Sequence, residues 1–202
     1  MTLSVYFVTP DGVSDATVLA AVRGGARLVQ LRDKTASDAA MTDQARRLVR
    51  LLAPFGVPLI VNDRLRVALA AGAAGLHVGQ TDGDPVRLRA ALGPRALLGL
   101  SIEDAAQLRG LAPGTVDYIG AGPVRATPSK PDHADPIGLA GLGRIVALSP
   151  VPVVAIGGIG RADAAAIRAT GAAGMAVVSA IAGAVDPRAA ARDLALAWGG
   201  AA

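Results

Sequence analysis

No cysteine occurs in the 202 residues. Disulfides and thiolate chemistry are therefore out of reach, and a cytoplasmic setting is the natural one for such a chain. Aromatic side chains make up only 2%, which leaves little from which to build a base-stacking surface. The net charge of +4 and the pI near 10.3 raise the question of a nucleic-acid partner. The arginines, however, are scattered, often beside Asp, and form no block of one sign, so none is expected. No apolar run is long enough to span a bilayer, because Gly, Pro, Arg or Asp interrupts each one, and no membrane partner is expected either. The opening MTLSVYFVTPDG lacks a basic leader region and reads as a strand, so no secretory signal is expected. No His/Cys cluster suggests zinc, and no Ser-His-Asp set is evident.

Other residue types are nearly missing. Of the 20 basic residues only Lys34 and Lys130 are lysines, and Asn62 and Glu103 are the sole asparagine and glutamate. A chain that uses Arg almost everywhere but keeps Lys at two loop positions points to a need for a compact ammonium there, which a planar guanidinium does not replace.

What is present is apolar and regularly punctuated. Hydrophobic content of 52% and a mean hydropathy of +0.45 exclude disorder, and the length suits one domain, residues 1–202. The stretch from Val57 to Asp82 sets the pattern: a β-branched run to Val61, the polar tip Asn62-Asp63, a helix from Arg64 to Ala71 with Leu65, Val67, Ala68 and Leu69 on its apolar face, Gly72, a second run Gly75–Val78, and a second tip ending at Asp82. A right-handed crossover makes the two runs parallel neighbours, so both tips emerge on one rim. Asp63 and Asp82 then meet there, a seat for a hard divalent cation. Taken singly, each Asp also reads as a turn or N-cap residue.

The same alternation runs through the chain. Further strands are expected at Leu3–Val8, Arg27–Leu31, Ala96–Leu100, Val116–Ile119, Val151–Ile156 and Gly174–Val178. Helices are expected from Ser14 or Asp15 to Arg23, Asp38–Leu52 (Met41, Ala45, Leu48 and Leu52 on one face), Asp84–Leu92, Glu103–Leu111, Ile137–Leu148, Ala162–Ala169 and Pro187–Trp198. Eight strands alternating with eight helices, the strands apolar on both faces, give an α/β chain whose economical closure is a small (β/α)8 TIM barrel. A doubly wound open sheet is the alternative, but the loop after the first strand, TPDGVSD, is not the G-x-G-x-x-G that a dinucleotide site needs.

In a barrel, function gathers on the loops that follow the strands. Those tips carry Gln30, Arg32 and Lys34; Asn62 and Asp63; Asp82; Ser101; Thr127, Ser129 and Lys130; Gly157 and Gly158; and Val178 and Ser179. Gly-rich tips after the last two strands are a phosphate cradle. The opposite side, with Arg32, Lys34, Lys130 and a metal at the aspartates, is a second anion seat. One rim with two such ends suits two phosphorylated substrates or one bisphosphorylated one. The loop 120–136 is long enough to act as a lid bearing Lys130.

With these tips collected, the chain resembles the thiamine-phosphate synthase family over nearly its whole length. The motifs that carry the likeness are Gln30-Leu31-Arg32-Asp33-Lys34, Val61-Asn62-Asp63, His77-Val78-Gly79-Gln80-Thr81-Asp82, Gly122-Pro123 with Thr127-Pro128-Ser129-Lys130, Ala155-Ile156-Gly157-Gly158-Ile159, and Val178-Ser179-Ala180-Ile181. The resemblance implies a transferase that joins hydroxymethylpyrimidine diphosphate to a thiazole phosphate, or its carboxylated form, and releases pyrophosphate. It implies Mg²⁺ on Asp63 and Asp82. Gln30, Leu31, Arg32, Asp33, Lys34, Asn62, Ser101 and Lys130 would bind the pyrimidine diphosphate, with Arg32, Lys34 and Lys130 catalytic. Thr127, Pro128, Ser129, Gly158, Val178 and Ser179 would bind the thiazole phosphate. Ser129 stands where a second threonine is expected and keeps its hydroxyl. His77 reads as structural and His133 as a solvated loop residue. Two other readings are a thiazole tautomerase-like barrel, which needs no diphosphate end, and a non-catalytic phosphate-binding barrel. Everything in the sequence is compatible with a homo-oligomer.

Overall fold

The computed structural model describes residues 2–127 and 134–199. Its strands are β1 (Val5–Val8), β2 (Leu28–Leu31), β3 (Leu59–Asn62), β4 (Gly75–Val78), β5 (Leu97–Ile102), β6 (Tyr118–Ala121), β7 (Val153–Ile156) and β8 (Gly174–Val177). Each pairs in parallel with the next, and β8 returns to β1 through Val5↔Met175 and Phe7↔Val177. The sheet closes on itself, so the expected (β/α)8 barrel is the observed fold.

Helices α1 (Asp15–Gly24), α2 (Asp38–Leu52), α3 (Leu65–Ala71), α4 (Pro85–Leu92), α5 (Gly138–Leu148), α6 (Ala164–Ala169), α7 (Ser179–Ala182) and α8 (Pro187–Trp198) follow the strands. Several begin where a side chain satisfies a free N–H: Ser14 accepts from Thr17, Ser37 from Ala40 and Asp186 from Ala189. On α2 the buried residues are Met41, Ala45, Leu48 and Leu52, the expected face. On α3 they are Val67, Ala68 and Ala71, while Leu69 is 51% exposed. Leu65, Val67 and Ala68 keep the expected face, and Ala71 takes the place expected of Leu69.

The fifth crossover also departs from expectation. It is a 3₁₀ segment, Ala105–Gly110, and not an α-helix. β5 runs on to Ile102 and shortens the connection, and side chains take the first backbone donors: Asp104 accepts from Ala106, and Gln107 Oε1 from Glu103 and Asp104. Short segments whose polar side chains compete for the backbone do not nucleate an α-helix easily. β3 and β6 likewise extend past their expected ends, since Asn62 pairs with His77 and Ala121 with Ile102.

Strand alternation sorts the core into two layers. Val5, Phe7, Val29, Leu31, Val61, Leu76, Val78, Leu98, Leu100 and Ile119 face the helices. Tyr6, Val8, Leu28, Ile60, Tyr118, Val154 and Ala176 fill the barrel. Gly99 faces the same interior, where a Cβ would stand 2.3 Å from His77 Nδ1 and 2.3 Å from Tyr118 Cζ. The glycine is what gives those two rings room.

The loop between β2 and α2 is built around the buried Asp33. Its Oδ1 accepts from the Thr35 N–H, the Thr35 hydroxyl and the Ala36 N–H, each at 2.8 Å, and its Oδ2 from the Gly12 N–H at 2.9 Å. Burial works to raise this carboxyl, but the four donors outweigh it and hold it at about 2. The Arg64 guanidinium ties the same loop to the end of β3 by donating to the carbonyls of Ala36 (2.6 Å) and Asp33 (3.0 Å).

Two outcomes follow from this packing. Gly99→Ala should destabilise by about 3 kcal/mol and lower Tm by about 6–12 °C, whereas Gly143→Ala, in α5 with nothing within 4 Å of its Cβ, should be neutral or stabilising by up to about 1 kcal/mol. Equal effects in calorimetry would contradict the assigned packing. For Asp33 the folded carboxyl titrates below the unfolded one, so its contribution is complete above about pH 4 and is lost as pH falls toward 2. The stability gap between wild type and Asp33→Ala should therefore narrow by roughly 2 kcal/mol over that window in urea titrations. A flat gap would rule the ionised cage out.

Candidate active site

Parity within the strands decides which side chains reach the mouth. Gln30 and Leu31 are neighbours on β2, so only one can face the interior. Gln30 does, buried beside Tyr6, while Leu31 packs fully under the helices and can offer the mouth only its backbone. Asn62 pairs with His77, and His77 with Gly99, so these inward positions stand on one level near the strand ends. Ser101 lies one inward position further along β5.

Just above that level the charged groups meet. Asp63 has φ +59°, the sole non-glycine residue in the left-handed region among the described residues, which Asp tolerates better than most. The twist is held by backbone bonds, with the Asp63 N–H donating to the His77 carbonyl at 2.8 Å and the Arg64 N–H to the Asn62 carbonyl at 2.7 Å. The Lys34 ammonium forms an ion pair with Asp63 Oδ2, and the Asp82 carboxyl also lies against Asp63. Burial raises the Asp63 carboxyl; the Lys34 ammonium opposes this, Asp82 adds to it, and the net displacement is upward. Asp82 is itself steadied by the Gly79 N–H at 2.8 Å, and Gln80 Nε2 donates to the Ser101 carbonyl at 2.6 Å, joining the tips of β4 and β5.

The donor set fits a magnesium ion. The partly buried Asp63 and the exposed Asp82 crowd two carboxylates that an added cation would neutralise, and no group of three or more His, Cys, Asp or Glu suited to a metal occurs among the described residues. Mg²⁺ commonly takes one or two carboxylates and completes its shell with water and substrate phosphate.

Arg32 and Lys34 are positioned from β1. The Thr9 hydroxyl accepts from the Arg32 N–H at 2.9 Å and donates to the Arg32 carbonyl at 3.0 Å. Asp11 accepts from the Lys34 N–H at 2.9 Å and pairs with the Arg32 guanidinium at 3.3 Å. Asp33, between them, has Oδ1 committed to its own loop and Oδ2 to the Gly12 N–H after β1, so its side chain ties the two loops together.

Across the mouth, Gly157 and Gly158 have φ +99° and +61°. A Cβ on Gly158 would stand 2.4 Å from the Ala126 carbonyl oxygen, so the chain leaving β6 lies directly on the glycine tip of β7. Its N–H groups stitch there, Val124 to the Ile156 carbonyl (2.8 Å) and Arg125 to the Gly157 carbonyl (3.0 Å). Thr127, next to Ala126, is thereby brought to the Gly158 tip. Val178 packs on the interior cluster and Ser179 opens α7 on the adjacent tip. Pro128, Ser129, Lys130 and His133 lie outside the described residues, as does the middle of the expected lid.

Beneath the mouth the interior is polar in a way that sequence reasoning did not find. Gln30, Tyr6, Tyr118, His77 and Ser101 are linked by consecutive hydrogen bonds across the barrel. Parity with Gln30 and the scarcity of tyrosine were the available signals. Thr9, Asp11 and Arg64 were missed as well, since each acts on a loop remote in sequence. At the other end of the barrel an open groove of ≈ 1010 Å³, lined by residues that include Arg27, Phe55, Val57 and Trp198, contains none of these groups.

Comparison with known proteins agrees with the geometry. Residues 5–181 match the family profile described as thiamine monophosphate synthase. The chain is 49% identical to the thiamine-phosphate synthase of Xanthobacter autotrophicus, covering 95% of this chain and 93% of that protein. It is 46% identical to that of Azorhizobium caulinodans with the same coverage. Thiamine phosphate pyrophosphorylase from Pyrococcus furiosus superposes with a TM-score of 0.89 at 33% identity, over 98% of this chain and 96% of that one. Orotidine 5'-phosphate decarboxylase from Pyrococcus horikoshii, at 17% identity and a TM-score of 0.69, shares the fold alone. With the profile, the relatives and the mouth of the barrel in agreement, the chain belongs to the thiamine monophosphate synthase family.

Proposed function

We propose that this chain, as one domain over residues 1–202, condenses hydroxymethylpyrimidine diphosphate with a thiazole phosphate or its carboxylated form to give thiamine phosphate and pyrophosphate. The observation that carries this reading is the Lys34–Asp63–Asp82 cluster, which stands at the tips of β3 and β4 above the inward-facing Gln30, Asn62 and Ser101.

In this reaction the bond from the methylene carbon to the diphosphate oxygen breaks and its electron pair leaves with oxygen. Positive charge on the carbon spreads into the electron-rich pyrimidine, and the thiazole nitrogen supplies the pair for the new C–N bond. No covalent intermediate with a side chain is required. The protein's work is placement and charge stabilisation. Gln30, Asn62 and Ser101 hold the pyrimidine over the barrel. Lys34, half-exposed and paired with Asp63, would neutralise the diphosphate together with Arg32 and Lys130. Thr127, Pro128, Ser129, Gly158, Val178 and Ser179 would hold the thiazole phosphate. Asp63 and Asp82 would hold Mg²⁺, which supplies charge neutralisation of the departing pyrophosphate.

A thiazole tautomerase would need only the glycine side of this mouth, and the retained diphosphate side favours the synthase. A cytoplasmic enzyme fits the absence of cysteine. Among the described residues no helix is long and apolar enough to cross a membrane.

The direct test is a pyrophosphate-release assay with each substrate and Mg²⁺ omitted in turn. Release only when all three are present is the expected result; isomerisation of the thiazole phosphate with no pyrimidine would point to the tautomerase. Tight binding of both ligands without release would point to a binding protein. Asp63→Asn is the informative variant, because Asn keeps the left-handed backbone while losing the charge. It should abolish Mg²⁺-dependent turnover at unchanged Tm. Lys34→Ala and Lys130→Ala should each slow turnover by about 10²–10³, on the order of 2.7–4 kcal/mol. Full activity in Asp63→Asn would remove the metal assignment.

A further inference from the structure

The chain contains only two tyrosines, and both lie inside the barrel with their hydroxyls 2.9 Å apart. Tyr6 also accepts from Gln30 Nε2 at 2.6 Å, and Tyr118 lies 3.1 Å from His77 Nδ1. His77 Nε2 lies 3.0 Å from Ser101 Oγ. Gln30 and Ser101 end the row on the side of the mouth, and the three groups between them are buried.

The row has a direction. An amide nitrogen only donates, so the Tyr6 oxygen accepts from Gln30 and its proton goes to Tyr118. Tyr118 then gives its proton to His77 Nδ1. The imidazole proton must sit on Nε2, where it is donated to Ser101 Oγ. Ser101 therefore keeps its own proton to offer upward, and Gln30 keeps its carbonyl oxygen. Tyr6, His77 and Tyr118 are all buried, so each polar atom along the row depends on its neighbour for a partner. Turning any one member round would leave a donor facing a donor or an acceptor facing an acceptor, so reversal requires all of them together.

We propose that Tyr6, Tyr118 and His77 are positioning residues that set, from below, which hydrogen-bonding group each of Gln30 and Ser101 presents to the bound ring. Ser101 is fixed as the donor and Gln30 as the acceptor, a pairing suited to a heterocycle whose edge carries an accepting ring nitrogen beside a donating amine. This rests on the synthase reading for the identity of the ring, but the polarity of the row does not. Gly99 is part of the same device, since its missing side chain is what lets the His77 and Tyr118 rings approach.

The test has two readouts on the full chain. In ¹⁵N-histidine NMR of the ligand-free protein, the signal that survives His133→Gln should show Nδ1 bare and Nε2 protonated at neutral pH. In steady-state kinetics, Tyr118→Phe should raise KM for the pyrimidine diphosphate about tenfold, as for one lost hydrogen bond, and leave KM for the thiazole phosphate within about twofold. The same variant should mix the His77 tautomers. Tyr6→Phe, which releases only the Gln30 end, should raise the pyrimidine KM while leaving the His77 tautomer unchanged, and it decides the matter where Tyr118→Phe does not fold. A proton on Nδ1 in the wild type, or folded variants with unchanged pyrimidine KM, would overturn the proposal. Absence of turnover in the wild type would instead count against the synthase reading, with the NMR result still deciding the row.

Discussion

Closure of β8 onto β1 is the constraint on which the rest depends. Because every strand runs the same way around the ring, every strand ends at the same mouth. Residues scattered from Thr9 to Ser179 become neighbours without any contact in sequence, and the helices outside have only to bury one face each. Opening the ring between Phe7 and Val177 would carry the tips of β7 and β8 away from Lys34 and Asp63, and the two proposed anion seats would be separated.

The ring also creates a problem, since its interior is narrow and must be filled. Over most of its depth this barrel solves it with Leu28, Ile60, Val154 and Ala176. Toward the mouth it changes strategy, with glycine at Gly99 and rings from β4 and β6 laid across the gap. An apolar filling would be simpler to stabilise, because each polar group buried here needs a partner. All have one, as no buried side-chain nitrogen or oxygen is left unpaired among the described residues. The polar floor thus gives a fixed orientation to groups that a hydrophobic floor would leave free to rotate.

The strain at Asp63 belongs to the same design. A left-handed aspartate at the end of a strand turns the carboxyl toward Lys34 and Asp82 and away from the solvent. Arg64 immediately afterwards anchors the neighbouring loop, so the twist and the anchor are delivered by consecutive residues.

Much of this was legible in the letters, for identifiable reasons. Short, near-continuous apolar runs placed all eight strands, and the tips carried polar residues that do not belong in a core. The face of α2 was legible because its fifteen residues repeat the spacing several times; α3, at seven, offered too few turns to distinguish Leu69 from Ala71. Asp33 sat in a motif with Arg32 and Lys34 and looked like a third ligand, yet adjacency in sequence does not show which oxygens a loop will consume. Tyr6 and Tyr118 were invisible because tyrosine in a strand is ordinarily packing, and only register reveals that they touch.

The proposed chemistry requires that the metal and the diphosphate meet at the tips of β3 and β4. Anomalous diffraction from crystals soaked in Mn²⁺ and pyrophosphate measures that directly. The predicted result is one manganese peak between Asp63 and Asp82 with pyrophosphate in contact with Lys34. A peak elsewhere, or pyrophosphate seated away from Lys34, would contradict it.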